Sequence, residues 1–243
     1  MIKLIDLTKH FDELKVIEKV NLDIPDGDFL AVIGPSGCGK STLLKLLLRI
    51  EEATYGRIMV NCKDIERLDE EQLISYREKI GMVFQSGALF DSLSVFENVA
   101  FSLREHTNLT DDAIQKIVMD KLAMVDLAGA EEKMPSELSG GMQKRVGIAR
   151  ALASNPSIIL YDEPTTGLDP ITSVTIEDLM VKLSRELKAT CIVVTHVMQT
   201  VRRVARRVVM LHDGSFLELG SPDQAQSSIN PIVKKFITGG LER

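Results

Sequence analysis

Residues 34–42 read Gly34-Pro35-Ser36-Gly37-Cys38-Gly39-Lys40-Ser41-Thr42 and fit the pattern G-x-x-x-x-G-K-[ST]. In this pattern the glycines let the backbone curl, so that successive N–H groups point at phosphate oxygens. Lys40 supplies a positive charge for the β- and γ-phosphates, and the Ser41 hydroxyl is a ligand for Mg²⁺. Apolar residues 29–33 predict a buried strand before the loop, and residues 42–49 predict a helix whose N-terminal dipole faces the anion. The pattern therefore predicts binding of a nucleoside triphosphate.

The composition is that of a globular chain. Of the 243 residues, 44% are apolar and 26% are charged, which suits one large domain or a domain with an inserted lobe. The net charge of −6 argues against a surface that coats nucleic acid, so no nucleic-acid partner is expected. No uncharged apolar run approaches the ~18 residues that cross a bilayer, and the strand pattern of residues 1–9 leaves no room for a signal peptide. Three scattered cysteines, Cys38, Cys62 and Cys191, indicate a reducing compartment such as the cytoplasm.

The N-terminal part of the chain predicts further strands. Residues 2–7 and 16–24 read as strands, and residues 56–60 form another short one. Phe11 lies between the first two strands. An aromatic side chain there can stack on an adenine ring or belong to the core, and the residues alone leave both interpretations open.

A strand predicted over residues 80–85 ends in Gln85. The amide of this residue can ligate Mg²⁺ or position the attacking water, although a lone glutamine is more often a surface residue. Residues 86–101 are rich in apolar side chains, and they either pack internally or offer a docking face to a partner helix. Helical spacing of apolar residues predicts that most of the region 87–153 is helical and inserted in an α/β chain.

A serine and two glycines begin the predicted helix 143–153, in the run Leu138-Ser139-Gly140-Gly141-Met142. Such a turn is either a second anion site, built from N–H groups, a hydroxyl and a helix dipole, or a flexible connection. One nucleotide does not need two such sites from one chain. The anion-site interpretation therefore assigns this turn to the nucleotide held by another copy.

Ionisable side chains close two further apolar strands. After residues 157–161, Asp162 can hold Mg²⁺ and Glu163 can accept a proton from water or polarise it. His196 ends the strand that begins at residue 190, where it can hydrogen-bond the γ-phosphate. The arginines of residues 202–207 predict a basic helical face, either solvated or set against an anionic surface. The run 208–219 predicts a hairpin.

These motifs, taken in order, resemble the ATPase subunit of ABC transporters over nearly the whole chain. The resemblance implies an α/β fold with a P-loop NTPase (RecA-like) core, an N-terminal antiparallel β subdomain and an inserted helical subdomain. A single ABC ATPase domain is then expected over residues 1–243. Its nucleotide-binding core would cover residues 1–86 and 154–221, its helical subdomain residues 87–153, and its C-terminal tail residues 222–243.

The resemblance also implies the chemistry, which is hydrolysis of ATP to ADP and phosphate with Mg²⁺. A head-to-tail homodimer would enclose two ATP molecules, each between the phosphate loop of one subunit and residues 139–142 of the other. The implied roles are stacking on adenine by Phe11, catalysis by Glu163, His196 and Gln85, metal binding by Ser41, Gln85 and Asp162, contact with ATP in trans by Ser139, Gly140, Gly141 and Met142, and communication across the dimer by Asp169. The segment after Gln85 would dock a membrane-embedded permease.

Two positions depart from the family's pattern. Met142 stands where many relatives carry glutamine, which matters little because the backbone donors of this turn do the binding. Val197 stands where an acidic residue often follows the histidine, and this leaves the partner of that region open.

A narrower resemblance is carried by residues 84–95 and 138–145 and by residues 230–236 of the tail. These runs are similar to the ATPases of MCE-associated lipid transporters, the type found in phospholipid transport between membranes, toluene tolerance and chloroplast lipid import. The resemblance implies lipid transport, with a permease and an MCE-domain lipid-binding protein as partners. It also implies a location at the cytoplasmic face of the inner membrane, held there through the permease.

Two other functions remain open at this point. One is the ATPase of another ABC importer, for example one for polar amino acids. The other is a non-transport ABC protein that acts on ribosomes or DNA. Such proteins usually carry two fused domains or long coiled-coil insertions, and the sequence has neither feature.

Overall fold

Strands and helices alternate along residues 1–239, the part of the chain that the structure, a computed structural model, describes. The strands are β1 (Ile2–Phe11), β2 (Leu14–Ile24), β3 (Phe29–Ile33), β4 (Tyr55–Val60), β5 (Lys63–Asp64), β6 (Ile80–Val83), β7 (Ile158–Asp162), β8 (Thr190–Val194), β9 (Arg207–His212) and β10 (Ser215–Gly220). The α-helices are α1 (Lys40–Leu47), α2 (Glu70–Arg77), α3 (Val95–His106), α4 (Asp111–Met124), α5 (Gly140–Leu152), α6 (Pro170–Leu187), α7 (Met198–Val204), α8 (Pro222–Gln226) and α9 (Pro231–Ile237). The chain divides into two compact units, one formed by Met1–Arg77 with the chain from Thr190 onward and the other by Glu78–Ala189.

The first unit contains the predicted antiparallel sheet, in the order β2-β1-β4-β5. Ile2 pairs with Ile24 on one side and with Val60 on the other. Ile2, Leu4 and Leu7 of β1 are buried, and a shift in the pairing register after Leu4 keeps Leu7 on the buried face.

Parallel strands form the second layer of this unit, with β3 lying between β8 and β9. Every residue of β3 and β8 is buried, as expected for strands that are covered on both faces. Val32 pairs with Val194, and the Thr195 N–H donates to the Val32 carbonyl at 3.2 Å. The residues that follow β3 and β8 therefore share one carboxyl edge, which is where parallel sheets bind ligands.

The second unit joins two parallel strands to four helices. β6 and β7 pair in register from Ile80 with Ile158 to Val83 with Tyr161. α5 packs against β6, α3, α4 and α6, and it buries Val146 and Leu152 along its length. The predicted helical region 87–153 lies inside this unit and contains α3 to α5, whereas its limits as a subdomain stay a prediction.

The sequence predicts one basic helical face over residues 202–207, and this prediction is wrong for residues 205–207, which lie outside the helix. α7 ends at Val204, and Arg207 begins β9 because the apolar run that follows it is buried as a strand beside β3. The Arg207 guanidinium pairs with Asp28 at 3.1 Å, and Arg206 donates to a main-chain carbonyl at 3.2 Å. The predicted hairpin after residue 207 is confirmed by the antiparallel pairing of β9 with β10.

The C-terminal tail begins with two short helices, α8 and α9, and residues 240–243 of the predicted tail lie outside the described residues. Residues 230–236, which carry part of the narrower resemblance, include most of α9. Within residues 1–239, every helix is too short or too polar to cross a membrane.

Candidate functional site

The phosphate loop connects β3 to α1 in the first unit. Gly39 precedes α1 with a φ of 104°, which residues with a side chain rarely adopt, and its carbonyl accepts the Leu43 N–H at 3.0 Å. A Cβ on Gly39 would lie 2.5 Å from the Val16 side chain, so β2 closes tightly over the loop. The first turn of α1 carries no acidic side chain. Its N–H groups therefore offer an anion site with no carboxylate from the same turn to compete.

Lys40 is held inside this loop by the loop's own backbone. Only 7% of the residue is exposed, and its ammonium donates hydrogen bonds to the carbonyl oxygens of Gly34 and Pro35, both at 2.9 Å. Ser41 follows it with an exposed side chain. Burial raises the pKa of the Cys38 thiol, with the Lys40 charge opposing that shift. The loop thus presents a fixed cation and a hydroxyl beside a thiol that stays protonated at neutral pH.

His196 lies at the same edge of the first unit's sheet as the phosphate loop. It comes two residues after Val194, as Gly34 comes two residues after the paired Val32. The side chain of His196 is exposed, and the buried Thr195 hydroxyl accepts the Val197 N–H at 3.0 Å, which orders the turn. This position is the one that the sequence predicts for a γ-phosphate contact.

Phe11 ends β1 and is 39% exposed, so the alternative that it belongs to the core is wrong. The Lys9 ammonium lies 4.5 Å from the centre of the Phe11 ring, and Lys9 pairs with Glu51 at 2.9 Å. A cation over the ring contributes about 0.5–1 kcal/mol at an exposed site. The ring is therefore positioned while remaining accessible.

The second unit brings together Gln85, Asp162 and Glu163. Because Val83 pairs with Tyr161, Gln85 and Glu163 each follow a paired residue by two positions at one carboxyl edge. Glu163 has a φ of 46°, in the left-handed region, and its carboxylate accepts a hydrogen bond from the Thr166 hydroxyl at 3.1 Å. Left-handed backbone in a residue with a side chain is uncommon and gathers at functional sites.

The signature turn, residues 138–142, begins α5. The helix starts at Gly140, earlier than the predicted residue 143, because Ser139 acts as its N-cap and accepts the Met142 N–H at 3.3 Å. Ser139 and Gly140 are exposed.

Asp169 is the N-cap of α6, as Ser139 is the N-cap of α5. Its carboxylate accepts the N–H groups of Ile171 and Thr172, both at 3.0 Å. The hydrogen bond from the Thr172 hydroxyl also lowers the pKa of Asp169. A Cβ on Gly141 would lie 2.4 Å from the Thr172 methyl group, so the signature turn and the first turn of α6 are in close contact.

The predicted Mg²⁺ ligands have suitable chemistry. Magnesium prefers oxygen donors, and Ser41, Gln85 and Asp162 supply a hydroxyl, an amide oxygen and a carboxylate. Within residues 1–239, no three His, Cys, Asp or Glu side chains gather into a metal-binding group.

The sequence profile of the ABC transporter family matches residues 17–166, which include the phosphate loop, the signature turn and Glu163. The chain belongs to the ABC transporter family. It is an ABC ATPase, as the ordered motifs predict, and the predicted α/β P-loop fold is confirmed by solved cassettes of this family.

Curated relatives of this ABC ATPase align along almost its whole length. The intermembrane phospholipid transport system ATP-binding protein MlaF of Haemophilus influenzae is 41% identical, over 98% of this chain and 90% of that relative. The probable ribonucleotide transport ATP-binding protein mkl of Mycobacterium leprae is 40% identical over 96% of this chain. The chain spans 65–67% of the length of the mycobacterial relatives. Relatives named for phospholipid transport are thus among the matches, as the narrower resemblance predicts.

A solved ATP-binding cassette gives the corresponding structural likeness. It is a dimer in a post-hydrolysis state bound to ADP and Pi. The TM-score is 0.80 at 36% identity, and the match covers 90% of this chain and 99% of that one.

Sequence reasoning missed two residues of the site. Val16 packs against Gly39, and Lys144 is buried in α5 with its ammonium donating to the Gln85 carbonyl. A signal for Lys144 exists, because it lies three residues after Gly141 on the face of α5 that also carries Gly147. A lysine among other charged residues nevertheless reads as exposed.

Proposed function

We propose that this ABC ATPase is the motor subunit of a transporter that moves phospholipid or a related lipid between membranes. The observation that carries the ATP-dependent part is the buried Lys40 ammonium, fixed by two carbonyls inside a loop of the P-loop pattern. The lipid part is supported by relatives at about 40% identity that are named for intermembrane phospholipid transport.

Within one copy, the phosphate loop binds the triphosphate through its N–H groups and Lys40, and Phe11 stacks on the adenine. Ser41, Gln85 and Asp162 would hold Mg²⁺, which would neutralise charge on the phosphates. The exposure of the Phe11 ring and the oxygen chemistry of the three metal ligands support these roles. His196 donates a hydrogen bond to a γ-phosphate oxygen.

The hydrolytic step is an in-line displacement. Glu163 orients a water molecule and accepts its proton as the water oxygen bonds to the γ-phosphorus, while the bond from that phosphorus to the β–γ bridging oxygen breaks. The products are ADP and phosphate. Positioning and charge stabilisation supply most of the rate in such reactions, which suits fixed groups such as Lys40.

Two copies of the chain work together in this proposal. Ser139, Gly140, Gly141 and Met142 of one copy contact the ATP held by the phosphate loop of the other, and Asp169 links the two sites. The dimeric state of the similar solved cassette supports this arrangement. Closure on ATP and opening after phosphate release would then drive the permease.

The partners follow from the same proposal. The segment after Gln85 docks a membrane-embedded permease at the cytoplasmic face of the inner membrane, and an MCE-domain protein carries the lipid. Exposed aromatic rings on this segment support a docking role, since Phe90 and Phe101 are 43% and 40% exposed.

Two single substitutions of lysines in α1 test the ATPase site. Lys40→Ala removes the phosphate cation and should lower kcat/KM for ATP by about a hundredfold or more, as loss of one fixed donor does in other sites. Lys45→Ala, at an exposed position of the same helix, is the matched control and should retain activity. Equal ATPase rates for the two variants, measured by phosphate release, would contradict the assignment of the phosphate loop.

The identity of the transported substrate is tested on the complex that the chain forms with its membrane partners. We expect the purified complex to carry phospholipid, identified by mass spectrometry, and its ATPase rate to rise with phospholipid vesicles. Stimulation by a ribonucleotide or a polar amino acid instead of lipid would overturn the lipid assignment and leave the ATPase assignment intact.

A further inference from the structure

Helix α5 contacts the main chain of the Gln85–Ala88 segment at three positions of one face. The Lys144 ammonium donates a hydrogen bond to the Gln85 carbonyl. The Arg150 guanidinium donates to the carbonyls of the last two residues of the segment, at 2.9 and 2.7 Å. Between them, a Cβ on Gly147 would lie only 3.2 Å from the Gly87 carbonyl oxygen. Spacing of three residues places all three positions on the same side of the helix.

These contacts fix the backbone of the segment and leave the Gln85 side chain exposed. Carbonyl groups of an irregular segment need partners when they are covered, and charged donors make the strongest of these bonds. Lys144 and Arg150 meet this need from a rigid helix. The backbone that carries the Gln85 side chain is therefore held by α5.

Lys144 also interacts electrostatically with Asp162 and Glu163. Only 6% of the residue is exposed. Burial lowers the pKa of its ammonium, and the charges of Asp162 and Glu163 oppose that shift. An ammonium is costly to bury without partners, and the Gln85 carbonyl supplies one.

We propose that Lys144 is a positioning residue for the ATPase reaction, which holds the Gln85–Ala88 segment on α5 and sets Gln85 relative to Asp162 and Glu163. This inference rests on the proposed function, because it gives Gln85 a role in the hydrolysis of ATP. Since α5 begins at the signature turn, the same contacts tie the segment that follows Gln85 to that turn.

Lys144→Met tests the proposal, since it keeps the length of the side chain and removes the donor and the charge. We expect kcat to fall by on the order of tenfold to a hundredfold, as for a misplaced reacting group, with KM for ATP within about twofold of the starting value. The Mg²⁺ concentration that gives half-maximal activity should rise. Lys144→Arg restores a donor and should recover most of the kcat.

Lys121→Met is the matched control. Lys121 is also 6% exposed, its ammonium donates to Asn155 at 2.5 Å, and burial lowers its pKa, but it belongs to α4 and has no bond to the segment. It should lower the melting temperature about as much as Lys144→Met and leave kcat within about twofold. Equal losses of kcat in the two variants would reduce Lys144 to a structural residue and overturn the proposal.

Hydrogen exchange of nucleotide-free protein gives a readout that is independent of activity. The amides of the Gln85–Ala88 segment should exchange faster in Lys144→Met than in Lys121→Met. If Lys144→Met does not fold, Gly147→Ala takes its place. The added methyl should displace the same segment and lower kcat without removing a charge.

Unchanged exchange of the segment, or faster exchange with normal kcat, contradicts the positioning role. A failure of the proposed function gives a different result. In that case the unsubstituted chain and Lys40→Ala would hydrolyse ATP at equal rates, whereas the exchange comparison would still show whether Lys144 holds the segment.

Discussion

At the scale of single residues, the exposure of Phe11 decides between the two interpretations that the sequence leaves open. Its ring is 39% exposed at the end of β1, with the Lys9 ammonium 4.5 Å from the ring centre. The sequence left stacking and core packing open, because the exposure of a residue at a strand end depends on how distant elements cover it. By contrast, the position of Lys40 in the phosphate loop follows from a local pattern in the sequence, whereas its role towards phosphate stays a prediction.

Phe11→Ala should raise KM for ATP about tenfold, because base stacking on an aromatic ring contributes about 1–3 kcal/mol. The change should be similar for GTP, since every base has a π-face. Leu14→Ala is the control, because Leu14 pairs with Phe11 across the hairpin and is 65% exposed. A KM that stays the same in Phe11→Ala, measured by steady-state hydrolysis, would remove the ring from the nucleotide site.

At the scale of elements, Asn98 organises the loop that precedes α3. This residue is fully buried in the helix, and its amide oxygen accepts the Phe90 N–H at 2.8 Å. Its amide nitrogen donates to the carbonyls of Phe90, Leu93 and Ser94, at 3.0–3.1 Å. One side chain thus contacts four backbone groups of the segment proposed to dock a permease, and it is the partner of the Phe90 N–H and the Leu93 carbonyl.

Asn98→Ala should lower the free energy of unfolding by about 3 kcal/mol, because it leaves buried loop groups without partners. Asn108→Ala, at an exposed position after α3, should change it by less than about 0.5 kcal/mol. Urea unfolding of both variants provides the measurement. Equal stabilities would show that water replaces the Asn98 amide at no cost.

Elements with strong local signals were predicted well from the sequence. The continuous apolar runs gave β3 and β8, and the Ser-Gly-Gly turn gave the start of a helix to within three residues. The end of α7 was missed, because Arg207 becomes a strand residue only by pairing with Leu30 of β3. Burial of Lys144 was missed for the same reason, since its acceptor on Gln85 is 59 residues away in the chain.

At the scale of the whole molecule, the candidate groups divide between the two compact units. The first unit carries the phosphate loop and His196, and the second carries Gln85, Asp162 and Glu163. The second unit also presents an exposed helix start at Ser139 and Gly140. One nucleotide does not need two anion-binding turns from one chain, which is why the proposal requires a second copy.

The central claim is that ATP binds between the phosphate loop of one copy and the signature turn of another. Its most direct test is the sedimentation velocity of Glu163→Gln with ATP and Mg²⁺. Glutamine fills the same space and cannot accept the proton, so bound ATP should persist and hold the copies together. The account predicts a dimer with ATP, a 26.9 kDa monomer without it, and a monomer again when Ser139→Arg is added. A Glu163→Gln protein that binds ATP and still sediments as a monomer would contradict the account.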